Sequence, residues 1–518
     1  MMSSRSKDSL IQLIHSLQRG EKRNFKSYVQ RNTSNQDLKI VQLFDALDKM
    51  KEYDETALLK KIHPIKKDQL PNRKAHLYKQ ILASLRLLET NENIDIQLRE
   101  QMDYARILYN KGLYVQSLKI LEKAKESAQF ANQYSFLVQI LFMEKKIESL
   151  HITRSLHDRA KFLTDEADDV IDKISLISRY SNLALELYGW YIHNGHARNE
   201  ADENTLADFF KKRLPAQPEL VTDFYQKLYL FQSYCWYAFI LQDFLLYYRY
   251  AQKWADLFHK EPSMIEYETM YYIKAMHNLL NAHFDLKNYK KFDETLEQFQ
   301  TFAASEIVAR NENNSAQVFV YMNIARLNRH FMHGTFTKGL ELVPVIIKGL
   351  GEYAVNLDQH RVLVFYYKIA SLYFGSGDYG NTITYLNKII NWKVDLRNDL
   401  QCYARLLSLI AHYELGNFDL LQYLVKSVYR FMAKMENLGA VEEEVFRFLQ
   451  RSFMLSPNKL KPEFEKLLAS LKGYENSRSE SRAFSYLDII SWLESKISNQ
   501  HVQDVVREKY KVNKRSRH

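Results

Sequence analysis

Glycine and proline are scarce in this sequence. Its 518 residues include only 14 glycines and 8 prolines, well below the usual shares of roughly 7% and 5%. Because these residues form tight turns, bulges and hairpins, a chain so poor in them does not suit a sheet-rich fold or many phosphate-binding loops. The chain is 46% hydrophobic, which is enough for a large core. We therefore expect an all-α protein, either of several domains or built as one elongated repeat array.

Cysteines and long apolar runs are also few. Cys235 and Cys402 cannot form a disulfide framework, and neither lies in a CxxC pair, so a reducing compartment is the simplest expectation. The N-terminal residues lack the apolar core of a signal peptide. The most apolar stretch, 229–250, is interrupted by Gln242 and Asp243 and falls short of the ~18 apolar residues that a membrane span needs. We expect two buried helices there, and a cytoplasmic protein that does not span a membrane.

The net charge of +10 is concentrated at the two ends of the chain. Residues 1–91 contain 18 basic and 10 acidic side chains, and residues 501–518 contain 6 and 2, whereas the long middle is close to neutral. An evenly basic surface would indicate a nucleic-acid groove along the whole protein. Here only the ends could attract a polyanion.

A helix–turn–helix pattern recurs along the middle of the chain. A turn residue is followed two positions later by an aromatic residue and, in the clearest copies, three positions after that by a small one. Glycine suits the turn because it bends the chain without steric cost, and the small residue allows the two helices to approach closely. The pattern places turns at Gly112, Gln242, Lys287, Gly334, Gly377 and Gly416. The spacing places two more at Ser155 and Gly195, so that successive predicted turns are 39 to 47 residues apart.

These segments resemble the tetratricopeptide repeat, a two-helix unit that stacks into a right-handed superhelix. The match is best at 108–124 and 368–386, and the resemblance extends over about 94–431. The repeat here is longer than the family's 34 residues, and the family's usual proline after the second helix is absent. The resemblance implies an α-solenoid of antiparallel helical hairpins over 92–439.

In tetratricopeptide families the first helices line a concave face that commonly binds peptides or partner segments. When the inward-facing positions of the family are counted from each predicted turn, the resemblance implies a set of inward-facing side chains in this sequence. Arginine, lysine and asparagine could bind a peptide backbone or a carboxylate, and the aromatic residues offer rigid contact area. The alternative is that the aromatic residues pack between neighbouring repeats. The candidates are Arg99, Arg106, Tyr109, Gln232, Trp236, Lys274, His277, Asn281, Asn328 and Tyr367.

The two ends lack the repeat pattern. Residues 1–91 predict a basic helical domain whose last two helices have the outline of a helix-turn-helix, with Asp54 as an N-cap. The alternative is a helical cap with a solvated basic face. Residues 440–518 predict a helical C-terminal cap, in which Pro462 begins a helix and 509–518 form a disordered basic tail. The candidate nucleic-acid contacts in the first domain are Lys66, Lys67, Arg73, Lys74 and Lys79.

Motifs that carry catalytic chemistry are largely missing. The segment 375–380, GSGDYG, matches GxGxxG, but a dinucleotide site needs a preceding strand, and the helical spacing before Gly377 predicts a repeat turn instead. His193 and His196 form HNGH, with His151 and His157 in a neighbouring predicted repeat, which is weak support for a metal site. We expect no cofactor, no metal and no enzymatic activity.

Two functions are therefore expected from the sequence. The first is a non-enzymatic scaffold that binds a peptide or partner protein on the concave face of the predicted solenoid. The alternative is a transcriptional or nucleic-acid-binding regulator, in which residues 1–91 bind nucleic acid and the solenoid acts as a sensor. The identity of the partner and the oligomeric state are left open.

Overall fold

The computed structural model describes residues 8–30, 35–50, 53–62, 67–90, 93–151, 157–215, 218, 221–392, 397–435, 437–452, 455, 457–475, 483–484 and 487–515. Within these ranges the regular structure is helical, with no strand, which confirms the all-α expectation. Contacts divide the chain into two compact units, Met1–Val170 and Ile171–His518. The predicted boundaries at 91/92 and 439/440 stay predictions.

The first unit begins with short helices whose ends follow local sequence signals. Asp8 caps α1 by accepting hydrogen bonds from the backbone of Leu10. The predicted N-cap Asp54 accepts from the backbone N–H of Thr56 at 2.9 Å, which confirms that assignment. The helices are α1 (Ser9–Ser16), α2 (Arg19–Gln30), α3 (Asn35–Asp48), α4 (Glu55–Lys61), a 3₁₀ turn (Lys67–Gln69), α5 (Leu70–Glu89), α6 (Ile94–Asn110), α7 (Tyr114–Phe130), α8 (Tyr134–His151) and the start of α9 (His157–Asn194).

The second unit contains the rest of α9 and the following helices. They are α10 (Glu200–Arg213), α11 (Phe224–Ile240), α12 (Phe244–Lys260), α13 (Met264–Tyr267), α14 (Thr269–Asp285), α15 (Tyr289–Ala303), α16 (Glu306–Ala309), α17 (Glu312–His333), α18 (Phe336–Gly339), α19 (Leu342–Glu352), α20 (Gln359–Ser376), α21 (Tyr379–Ile390), α22 (Asn398–Glu414), α23 (Phe418–Lys434), α24 (Ala440–Ser452), α25 (Pro457–Lys472), α26 (Ile489–Ser498) and α27 (Val502–Arg515).

The predicted turn positions share one backbone conformation. Each of those that the structure describes has a positive φ, from 51° at Lys287 to 88° at Gly377, including Gln242, which is not a glycine. Each joins two consecutive helices, and in six of these pairs the second helix starts at the aromatic residue of the pattern. The left-handed conformation ends one helix so that the next can reverse direction. The predicted turn at Ser155 lies outside the described residues.

The small residue of the pattern lies where the paired helices touch. Ser117 on α7 is fully buried, and its Oγ donates a hydrogen bond to the carbonyl of Ala105 on α6 at 2.8 Å. Thr382 occupies the same position on α21 and is also fully buried. A larger side chain at either position would push the two helices apart.

In the second unit, neighbouring helices pack in a regular order. Helices α11 and α12, α14 and α15, α20 and α21, and α22 and α23 contact each other as pairs. The first helices also contact one another in sequence: α14 touches α17, α17 touches α20, and α20 touches α22. One hydrophobic core runs through the unit from Phe224 to Val506. In the first unit, helices α1 to α5 have a hydrophobic cluster of their own.

Three local predictions have clear outcomes. Helix α20 continues into the GSGDYG segment and ends at Ser376, and α21 begins at Tyr379, so a turn between two helices is confirmed there. Gly375, still within α20, lies against the ring of Phe336, where a Cβ would sit 2.1 Å from a ring carbon. The prediction that Pro462 begins a helix is wrong, because α25 starts at Pro457. The prediction of a disordered tail is also wrong up to Arg515, since α27 is helical to that residue.

Candidate functional site

Charged and polar side chains from three consecutive first helices gather in one place in the second unit. On α14 they are spaced along one side of the helix, and the neighbouring helices α17 and α20 contribute the rest. We call this group the polar cluster. It consists of Lys274, His277, Asn281 and Asp285 on α14, Tyr321 and Asn328 on α17, and Arg361 and Lys368 on α20.

Tyr321 holds one end of the polar cluster together. Its ring stacks on the imidazole of His277, with centroids 4.0 Å apart and planes 19° apart. The Arg361 guanidinium lies 5.7 Å from the same ring centroid, and its Nη2 donates to the Tyr321 hydroxyl at 3.4 Å. At the edge of the imidazole, Asn281 Nδ2 donates to His277 Nε2 at 3.0 Å. These contacts fix a ring, a cation and an amide relative to one another.

The other end of the polar cluster is built around Lys368. Its ammonium donates to Asn328 Oδ1 at 2.7 Å and lies 5.8 Å and 5.5 Å from the ring centroids of Phe284 and Phe331. The nearby carboxylate of Asp285 attracts the Lys368 ammonium. A lysine held between two rings and an amide keeps its hydrogen bonds but has little contact with water.

Burial shifts the titration of these groups strongly. It lowers the pKa of Lys368 to about 8 and raises the pKa of Asp285 to about 7, while their mutual attraction opposes both shifts. Burial also lowers the pKa of Lys274, and the nearby Arg361 guanidinium lowers it further. The same causes lower the pKa of His277 to about 3. Burial is the largest cause of each shift, and at His277 the charges of Arg361, Lys368 and Lys274 add to it.

The buried histidines of the second unit should make its stability fall in mild acid. Burial lowers the pKa of His277 to about 3 and those of His283 and His360 to about 4. The unfolded chain binds these protons near pH 6.5, so between about pH 6 and 4.5 each histidine reduces the unfolding free energy by roughly 1.4 kcal/mol per pH unit. Asp285 opposes one of these contributions, because its raised pKa keeps it protonated in the folded state.

We expect the melting temperature of the second unit to fall clearly between pH 7 and pH 5. The variant His360→Gln, which keeps an acceptor for Arg397 Nη1 (3.2 Å from His360 Nδ1), should show a shallower dependence on pH. Calorimetric scans of both proteins at several pH values measure this slope. Equal slopes for the two proteins would contradict the assignment to His360.

The remaining predicted residues of the second unit, Gln232 and Trp236 on α11 and Tyr367 on α20, do not belong to the polar cluster. Trp236 is half-buried between the rings of Tyr188 and Tyr191, at centroid distances of 5.2 Å and 5.5 Å. Gln232 is 9% exposed and Tyr367 only 6% exposed. Tyr367 belongs to the hydrophobic core. The burial of Tyr367 agrees with the alternative prediction, in which the aromatic residues pack between helices instead of contacting a partner.

The predicted residues of the first unit do not form a comparable group. Arg99 and Arg106 are exposed on α6, and the Arg99 guanidinium lies 5.1 Å from the ring centroid of Phe136. The hydroxyl of Tyr109 is 3.3 Å from His151 Nε2. These are separate surface contacts, and their predicted role in partner binding stays a prediction.

The basic N-terminal candidates are only partly available to a ligand. The Lys74 ammonium pairs with Asp8 and lies 4.2 Å from the ring centroid of Tyr53. Burial lowers its pKa, but the hydrogen bonds to those two residues outweigh burial and raise it overall. Lys67 and Lys79 are exposed and Arg73 is half-buried, whereas Lys66 lies outside the described residues. Nucleic-acid binding by residues 1–91 stays a prediction.

The HNGH histidines make backbone hydrogen bonds. His193 Nδ1 lies 2.9 Å from the carbonyl of Gly189, and His196 Nδ1 lies 2.8 Å from that of Phe239. In the parts of the chain that the structure describes, no three histidine, cysteine, aspartate or glutamate side chains group as metal ligands. The side chain of His157 lies outside them. Among the described helices, none has both the length and the apolarity to cross a membrane.

Sequence reasoning missed several members of the polar cluster. Counting back from the predicted turn selected Tyr367 as the inward-facing residue of α20. The adjacent Lys368 points into the cluster instead, and Arg361 lies two helical turns earlier on the same side of α20. Asp285, at the end of α14, was missed as well. A usable signal was available: these charged residues interrupt otherwise apolar helices at helical spacing, which is unusual for a buried face.

Comparisons of the chain with protein-family models, with curated proteins and with solved structures give no match.

Proposed function

We propose that helices α11 to α23 form a solenoid of tetratricopeptide-like hairpins, and that the polar cluster marks a surface that binds a peptide or an extended segment of a partner protein. The observation that carries the proposal is that the cluster is drawn from three consecutive first helices, α14, α17 and α20. In the proposed solenoid these helices line one face. The protein then acts as a cytoplasmic, non-enzymatic scaffold.

The chemistry of this surface suits an extended peptide. The side chain of Asn281 is half-buried, and an asparagine amide can bind backbone N–H and C=O groups, which an extended segment leaves unpaired. Asn328 is only 2% exposed and accepts from Lys368, so it positions that lysine instead. Tyr188 lies close enough to Tyr321 of the cluster to add to the effect of burial in raising its pKa. Tyr188 is 43% exposed beside Trp236, and rigid aromatic surfaces of this kind give contact area at a low cost in conformational entropy. The lysine and arginine of the cluster add attraction for acidic segments.

Photo-crosslinking can test where a peptide binds. Peptides would be selected from a random display library on the full chain, and a photoreactive phenylalanine analogue would then replace either Tyr188 or Tyr423. Tyr423 is the matched control, because it is 78% exposed on α23 and lies outside the proposed surface. We expect the selected peptides to crosslink at position 188. Crosslinking only at position 423, or failure to enrich any sequence, would contradict the proposal.

A further inference from the structure

The polar cluster contains a surplus of positive charge that its own acids do not balance. Lys368 and Asp285 attract each other. Arg361 has Asp358 at 3.7 Å, but that carboxylate is 56% exposed, so water screens the pair. The Lys274 ammonium has no hydrogen-bond or ion-pair partner among the residues that the structure describes. Lys274 and Arg361 are thus two half-buried cations, close enough that the charge of Arg361 adds to burial in lowering the pKa of Lys274.

A buried hydrogen-bond donor lies beside these two cations. Asn281 Nδ2 donates to His277 Nε2, so the neutral imidazole has its proton on Nδ1. His277 Nδ1 is buried and has no partner. Leaving such a donor unpaired costs about 1–3 kcal/mol. An acceptor oxygen that reached this atom would recover that cost, and the Lys274 and Arg361 charges, which act on His277 together with burial, would attract it.

The rigid position of these groups favours a specific ligand over a diffuse counterion. Tyr321 stacks on the His277 ring and contacts the Arg361 guanidinium, so the imidazole donor and the arginine fork keep their relative orientation. Lysine adds a point charge with rotatable donors, and arginine adds a planar fork that fits tetrahedral oxyanions. A carboxylate carries one negative charge, whereas two uncompensated cations match a dianion.

We propose that Lys274, His277 and Arg361 bind the dianionic phosphate group of a phosphate monoester. The assignment rests on the proposed function in one respect: when the ligand is a peptide, the phosphate belongs to a phosphorylated side chain. A free phosphate monoester would present the same group to the same residues.

Calorimetric titrations with small probes test the charge requirement on the full chain. Phenyl phosphate is a dianion at pH 7.5, and benzenesulfonate is a monoanion of similar shape. We expect phenyl phosphate to bind at least tenfold more tightly. Lys274→Met and Arg361→Met should each weaken its binding at least tenfold. Lys388→Met is the matched control and should leave the affinity unchanged. Lys388 is an exposed cation on α21 that lies over the rings of Tyr366 on α20 and Tyr385 on α21.

The outcomes separate the two proposals. Equal affinity for both probes, no binding, or equal losses in Lys274→Met and Lys388→Met would overturn the phosphate assignment. Melting temperatures of each variant show whether the fold is retained, and Arg361→Lys provides a second variant if Arg361→Met does not fold. A phosphoserine peptide that binds more tightly than phenyl phosphate identifies a peptide source. Phenyl phosphate binding without any peptide binding would keep this site but contradict the proposed function.

Discussion

Replacing Lys125 with methionine is expected to destabilise the first unit by about 3–5 kcal/mol at pH 7. The Lys125 ammonium on α7 lies 3.0 Å from Glu144 Oε2 on α8 and 3.1 Å from Glu166 Oε2 on α9. The Glu144 side chain is only 1% exposed. Methionine has a similar length but no charge, so the two carboxylates would lose the cation between them. Among the described residues, Glu144 would then keep only Arg159 as an ion-pair partner, at 3.5 Å.

The loss should depend on pH in a defined direction. Burial already raises the pKa of Glu144, and Lys125 opposes that shift. Without the lysine, the folded-state pKa rises further above the unfolded value. The folded state then binds a proton more tightly than the unfolded chain, so stability recovers as the pH falls. We expect the deficit of Lys125→Met to be smaller at pH 5 than at pH 7.

Hydrogen exchange of the amides in α7 and α8 measures this effect, because a chain of two units has no single free energy of unfolding. Lys123→Met is the control: Lys123 lies on the same helix but is exposed, and its loss should change stability by no more than about 0.5 kcal/mol. Replacing both Lys125 and Glu144 with methionine should restore part of the stability, because the nearly inaccessible Glu144 carboxylate is removed together with its partner. Glu166 still loses Lys125 but keeps the hydrogen bond from Gln129 Nε2 at 2.9 Å. Equal exchange in Lys125→Met and Lys123→Met would contradict a central role for this ion network.

The turns could be predicted from the sequence because their cause is local. A turn residue at a positive φ, followed by an aromatic residue that starts the next helix, leaves a recognisable pattern in the sequence. Gln242 and Lys287 fit this pattern and have a positive φ although neither is a glycine. The buried ion network could not be predicted in this way. Lys125, Glu144 and Glu166 are far apart in the sequence, and each alone resembles an ordinary solvated helix residue.

The C-terminal helix was missed although a signal existed. Val502, Val505 and Val506 follow helical spacing, and all three are buried. The basic residues that follow suggested a solvated tail, because a charge run is the usual mark of disorder. Tyr510 is a further apolar contact of the same helix. Its ring stacks on that of His333, with centroids 4.3 Å apart, and its centroid lies 4.9 Å from that of the Tyr289 ring. One apolar face is enough to dock a helix whose other faces are charged.

Gly334→Ala is expected to release α27 from the turn between α17 and α18. Gly334 has φ +62°, and a Cβ at this position would lie 2.4 Å from the backbone nitrogen of Arg507 and 2.5 Å from the carbonyl of Gln503. Both atoms belong to the backbone of α27, so rotating a side chain cannot relieve the clash. The helix would lose the hydrogen bond from Arg507 Nη2 to the carbonyl of Gly334 (3.1 Å) and that from Thr337 to Gln503 (2.9 Å).

Gly377→Ala separates this clash from backbone strain. Gly377 also has a positive φ, but nothing lies within 4 Å of a Cβ placed there. Both variants suffer the left-handed penalty of about 1–2 kcal/mol, whereas only Gly334→Ala adds overpacking of about 1–3 kcal/mol. Amide exchange in 502–510 should therefore be about ten- to a hundredfold faster in Gly334→Ala than in Gly377→Ala. If exchange in this segment is equally fast in both variants, the close approach at Gly334 is not what holds α27 in place. Packing of the valines and Tyr510 of α27 is then sufficient to keep the helix docked.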